Sequence, residues 1–214
     1  MKFGCLGCLV LLLVLGVVLL GGAVALLFGG SIFEVPTLSK ATYSAADGYR
    51  AQDKLFEIVL RDSGRSPRRD PIVITDEELN AFLAGHLQQK EGLPISPLVV
   101  RLSPDTVEVR GQTAFKNLFK GFPFYFLPER LPASTMDRPV WVTVRGTIWL
   151  EGEKTRAGRK YGRLEVKEFT LGNQDMGPWL LSLLLGQERL RWEVPAVVEA
   201  IKIQDGRMLI YSVR

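Results

Sequence analysis

RPVWVTVRGTIWLE, residues 138–151, carries the pattern that decides the fold. Val140, Val142, Val144, Ile148 and Leu150 fall on one face of an extended chain, and Trp141, Thr143, Arg145, Thr147 and Trp149 on the other. A period of two is that of a β-strand, whose successive side chains point to opposite faces. Apolar residues stand on both faces, so something covers, or binds to, the second side as well. Gly146 interrupts the run and marks a bulge or the close approach of another backbone.

Working outward, a basic turn from Lys154 to Lys160 leads to a partner strand, Tyr161 to Leu171. Upstream, Leu98–Leu102 and Thr106–Ala114 read as a hairpin about the Ser103-Pro-Asp105 turn, with Val107 and Val109 facing one way. The chain closes on another hairpin, Val197–Gln204 and Arg207–Val213, joined by Asp205-Gly206. Three helices are predicted between these strands. Ser44 caps the first, with Asp47 favouring its N-terminal dipole. Tyr49, Gln52, Phe56, Val59 and Leu60 form its expected inward stripe, widened by Leu55 and Ile58, and Gly64 is its stop. Pro71–Ile74 is a short strand, after which the capping box Thr75-Asp-Glu-Glu78 opens the second helix. Leu79, Phe82, Leu83, His86 and Leu87 lie on one face of that helix. Pro178 begins the third, whose expected stripe is Trp179, Leu180, Leu183 and Leu184. Antiparallel hairpins mixed with about three helices make an α+β domain.

A different pattern precedes this domain. From Leu9 to Phe28 the chain reads LVLLLVLGVVLLGGAVALLF, without a charge. About twenty such residues in a helix span the hydrocarbon core of a bilayer, and a helix is the form a lone segment must take there. The expected organisation is therefore a transmembrane anchor over 1–28, a juxtamembrane linker over 29–43 and one extracytoplasmic domain over 44–214. Lys2 precedes the run, so the positive-inside rule places the N-terminus in the cytoplasm of a single-pass membrane protein. Cleavage after Ala25 is the competing reading, because Ala23-Val24-Ala25 has the small-x-small pattern of a signal peptidase site. Cys5 and Cys8, the only cysteines, stand before the run rather than after it, unlike a lipoprotein cysteine. They are candidates for S-acylation, and one such pair supplies only half a tetrahedral metal site.

The formal charge of +4 is too mild to imply nucleic acid as a partner. No phosphate loop, zinc-protease motif or nucleophile elbow occurs. His86, the single histidine, sits on an apolar helical stripe. Asp76, Glu77 and Glu78 fill a helical first turn, where acids suit the dipole, and Glu151 and Glu153 flank a basic turn. No catalytic residue, cofactor or metal is therefore expected. FKGFPFYFLPERL, residues 119–131, stands out instead. Phe119, Phe122, Phe124, Tyr125, Phe126 and Leu127 crowd together while Gly121, Pro123 and Pro128 exclude a regular helix. Such a stretch is buried, or presents an apolar patch to lipid or to a partner. With Trp141, Trp149 and Trp179 it makes up the expected contact set.

ITDEELNAFLAGHL (residues 74–87), LVVRLSPDTVEVRGQ (98–112) and VPAVVEAIKIQDGRMLIYS (194–212) resemble bacterial membrane-anchored envelope proteins related to lipid-binding tubular (TULIP-like) domains. The likeness covers about two thirds of the chain and consists of hydrophobic pattern and turn chemistry. It implies a curved antiparallel sheet wrapped about a helix, leaving an apolar groove, and brings no catalytic residues. The aromatic segment departs from that pattern. The expected function is binding of a phospholipid or other amphiphile at the cell envelope, without catalysis. The alternative is a scaffold or partner-binding subunit of an envelope complex.

Overall fold

The computed structural model describes residues 30–37, 42–87, 95–119, 132–152, 160–185 and 190–212. The run Leu9–Phe28, both cysteines, the Ala25 cleavage position and Glu153 lie outside these. Among the described residues no helix is long and apolar enough to cross a membrane.

The domain is α+β. In chain order it contains α1 (Ala45–Asp62), β1 (Ile72–Thr75), α2 (Asp76–Leu87), β2 (Leu98–Ser103), β3 (Thr106–Ala114), α3 (Ala133–Met136) and β4 (Pro139–Gly152). There follow β5 (Lys160–Leu171), β6 (Gln174–Asp175), α4 (Pro178–Leu185), β7 (Arg191–Val194), β8 (Val198–Gln204) and β9 (Arg207–Ser212). Short 3-10 turns occupy Gly30–Phe33 and Phe115–Phe119. The larger, antiparallel sheet runs β2-β3-β4-β5, with β6 and β7 both on the outer edge of β5, at opposite ends. The smaller sheet runs β1-β9-β8.

The predicted strands are present, as are the turns at Ser103-Pro-Asp105 and Asp205-Gly206, while the basic turn after β4 lies outside the described residues. At Gly146 the pairing shifts from Arg145↔Glu168 to Gly146↔Val166, so Lys167 is the extra residue of a bulge that bends β5. A Cβ at position 146 would collide with the Glu165 carbonyl. Both capping boxes form. The Ser44 N–H donates to Asp47 Oδ2 at 2.7 Å, and the Thr75 N–H donates to Glu78 Oε2 at 3.0 Å.

The faces of two helices differ from expectation. In α1 the expected inward stripe divides: Ile58 is buried with Leu55 packed beside it, whereas Tyr49, Phe56 and Val59 point out, 70%, 59% and 56% exposed. The buried face is Asp47, Ala51, Ile58 and Arg61. Arg61 can be buried because Asp70 O, Ser212 Oγ and Glu57 Oε1 accept from it at 2.7, 2.8 and 3.0 Å. In α4 Leu181 is buried and Leu180 and Leu184 of the expected stripe pack on the core, while Trp179 is 67% exposed.

The N-terminal boundary also moves. Residues 30–37, within the stretch expected to be a linker, belong to the folded domain. Ile32 is 0% exposed among Phe115, Phe119, Met136, Val140, Phe169, Leu171 and Leu181. The Asn173 N–H donates to Ser31 O at 2.9 Å, and the Arg138 guanidinium lies 3.9 Å over the Phe33 ring. Gly172, at φ +57°, leaves room for this approach, since a Cβ there would overlap the Ser31 and Ile32 carbonyls.

Candidate functional site

Strand registers assemble one continuous apolar face on the larger sheet. Val142 lies opposite Leu171 and Gly111, Val144 opposite Phe169 and Val109, and Ile148 opposite Leu164. Across β2, Val100 pairs with Val109 and Leu102 with Val107. The two ends of this face are covered. At the end nearer the N-terminal segment, Ile32, Phe115, Phe119 and Leu181 close over Val140. At the far end Ile203 of β8 packs on Val100, Leu102 and Val107, with Ile148 and the α2 residues Leu79 and Leu83 alongside. About ten residues of β4 separate Val140 from Leu150, roughly 33 Å of strand.

Between the two covers, Val109, Val142, Val144, Leu164 and Val166 are only half-buried. Beside them, β6 pairs with Thr170 and Leu171 and β7 with Lys160–Arg163. The outer edge of β5 between those positions has no strand partner among the described residues. These five half-buried side chains form an aliphatic strip, called the trough below, that borders the stretch of β5 without a strand partner among the described residues. On the opposite side Ile95 packs over Gly111, where a Cβ would overlap its side chain, and covers that part of the face.

The reverse face is ionic. Glu108 is buried between Arg110 Nε and Arg145 Nη2, each at 2.6 Å, and Arg145 Nη1 reaches Glu168 at 3.0 Å. Arg110 Nη1 also donates to Thr37 O at 3.1 Å, tying the N-terminal segment across this side. Burial pushes the Glu108 carboxyl up, but the Arg145 and Arg110 guanidinium groups outweigh it and hold the pKa below the ordinary glutamate value. The stability this contributes is complete above the unfolded pKa of about 4.3 and is lost as the pH falls through the lower folded value. Acid titration of thermal unfolding should therefore show a steeper fall for the native chain below about pH 4 than for Glu108→Gln; parallel curves would contradict this role.

Of the expected contact residues, Phe119, Trp141, Trp149 and Trp179 are described, and they lie in different parts of the domain. Phe119 is buried in the near cover, edge-on to Phe115 at 4.9 Å. Phe122, Phe124, Tyr125, Phe126 and Leu127 lie outside the described residues. Trp141 and Trp149 sit on the ionic face, eight residues apart on β4, not in the trough. Trp141 is buried, and its Nε1 has no hydrogen-bond partner among the described residues. Trp149 is 55% exposed, and its Nε1 donates to Glu165 Oε2 at 2.7 Å. No family model and no curated protein matches this chain. Function therefore has to be argued from the site itself.

Of the residues considered for chemistry, Asp76, Glu78 and Glu151 have structural engagements. Asp76 Oδ1 accepts the Leu102 N–H at 2.9 Å, and burial raises its pKa. Lys54 Nζ grips both carboxylate oxygens of buried Glu78 at 2.6 and 2.7 Å. Glu151 pairs with Arg163 at 3.1 Å and Arg191 at 3.3 Å. His86 stands in the last turn of α2. The valines of the trough escaped the sequence reading because alternation marks a face as apolar without telling how much of it the other elements cover.

Proposed function

We propose that this is a membrane-anchored envelope protein that binds a phospholipid or similar amphiphile along the apolar face of its larger sheet, without catalysis. The anchor is the run Leu9–Phe28, with the N-terminus cytoplasmic and the domain outside. The observation that carries the reading is incomplete cover of the apolar sheet: five aliphatic residues, four of them packed against the two covering clusters, remain only half-buried beside a strand edge with no strand partner among the described residues. Each acyl methylene laid on that surface contributes about 0.8 kcal/mol, so aliphatic lining alone is sufficient to hold a chain. Such binding needs no polar chemistry.

Native mass spectrometry of the domain from Gly30, produced without the anchor, should retain lipid or take up added phospholipid. Val144→Asp should reduce the lipid-bound fraction about tenfold or more, because a carboxylate in the trough loses hydration with no partner to replace it. Lipid-free protein that takes up none would count against the proposal.

A second reading, a partner-binding subunit, draws on α1. Tyr49, Phe56 and Val59 form an exposed stripe, next to a hollow of about 490 Å³ lined by Phe56, Glu57, Arg61, Arg68, Ile72 and Val73. Photo-crosslinking from position 56 in native membranes, returning one stoichiometric protein, would favour it.

A further inference from the structure

We infer that the near end of the domain, where Ile32 is buried beside α4, is a docking face that lies on the bilayer surface. The inference rests on the anchor proposed above and goes beyond it, since a tethered domain need not touch its membrane. Three observations point the same way. The apolar run ends at Phe28 and Ile32 is already wholly buried in the domain. Four residues span at most about 14 Å, so the near cover stands within that distance of the membrane boundary.

The α4 helix lies in that same cover through Leu181, Leu180 and Leu184. The stretch MGPWLLSLLLG, residues 176–186, contains no charged residue, yet Trp179 projects from it 67% exposed. A tryptophan presented beside an uncharged helix suits the headgroup layer, where its ring is apolar and its N–H is hydrated. The remaining exposed tryptophans are at the opposite end. Trp149 lies eight residues along β4 from Trp141, roughly 26 Å, and Trp192 pairs opposite Gly162 at the Leu150 level. Trp179 is therefore the exposed tryptophan of the near end, and Trp149 and Trp192 stand away from it as an internal comparison.

The test uses the full-length chain in phosphatidylcholine–phosphatidylglycerol vesicles whose acyl chains are brominated near the carbonyl end. Subtracting the emission of Trp179→Phe or Trp149→Phe from that of the native chain isolates each indole. Both residues are exposed, so both variants should fold. Brominated lipid is expected to at least roughly halve the Trp179 emission while aqueous iodide leaves it nearly unchanged, with the reverse at Trp149. Flotation of the same samples separates the two claims. Protein that floats while iodide, and not bromolipid, quenches Trp179 overturns the docking face and leaves the anchor standing. Protein that does not float overturns the anchor, and the docking face with it.

Discussion

Ile32→Ala should lower the unfolding free energy by about 2–5 kcal/mol, the cost of emptying an aliphatic core position. Ile32 lies four residues beyond a run read as membrane-spanning, where a linker residue would cost within about 0.5 kcal/mol. The difference follows from its neighbours. Its side chain fills the space between Phe115, Phe169 and Leu181, and few atoms there can collapse into a void. The adjoining backbone is fastened too: Ser31 Oγ donates to Gln174 Oε1 at 3.0 Å, and Asn173 Nδ2 donates to Glu34 Oε2 at 2.9 Å. Val35, 66% exposed, is the internal reference. Denaturant unfolding of Ile32→Ala and Val35→Ala side by side checks this; equal, small effects would show that the domain starts later than Gly30.

Asn80→Leu should be comparably damaging, at about 2–5 kcal/mol, although it replaces a polar residue by an apolar one of similar size. Asn80 is buried, and it acts as a missing strand would. Its Nδ2 donates to Val100 O at 2.7 Å and its Oδ1 accepts the Val100 N–H at 2.7 Å. Two residues along β2, Asp76 Oδ1 accepts the Leu102 N–H. The first turns of α2 thus satisfy the free edge of β2, which would otherwise expose backbone groups to pairing with another chain. With leucine at position 80, one buried donor and one buried acceptor lose their partners, each costing about 1–3 kcal/mol. Hydrogen exchange at the Val100 amide should accelerate along with the loss of stability. A loss under about 1 kcal/mol with Val100 still protected would contradict the clamp.

These two positions also show how far the sequence could be read. The strands were legible because alternation and turn chemistry are local: Val140 to Leu150 states its own period, and Asp205-Gly206 its own turn. The Ser44 cap and the Thr75 capping box were legible for the same reason. Which face of α1 lies inside was not. Apolar residues occupy two sides of that helix, and the choice of Ile58 over Phe56 depends on Arg61 finding Asp70 O and Ser212 Oγ, the latter 151 residues away. Asn80 is silent in the sequence, since its partner is backbone brought near by the fold. Ile32 was read as linker because Gly29, Gly30 and Pro36 surround it. The trough was half legible: one apolar face could be named, but its open middle is set by where β6, β7 and the β8–β9 hairpin stop. Alternation already sets Trp141 and Trp149 on the face opposite the valines; what it cannot show is that ion pairs of Arg145 occupy that face.

The most direct measurement places a photo-activatable phenylalanine at Val144 in the full-length protein, in phospholipid membranes, with Thr143 as the neighbour facing the other way. Irradiation should yield a phospholipid adduct from position 144 and little from position 143. If the two positions label lipid equally, or position 144 labels none, no lipid occupies the sheet's apolar face.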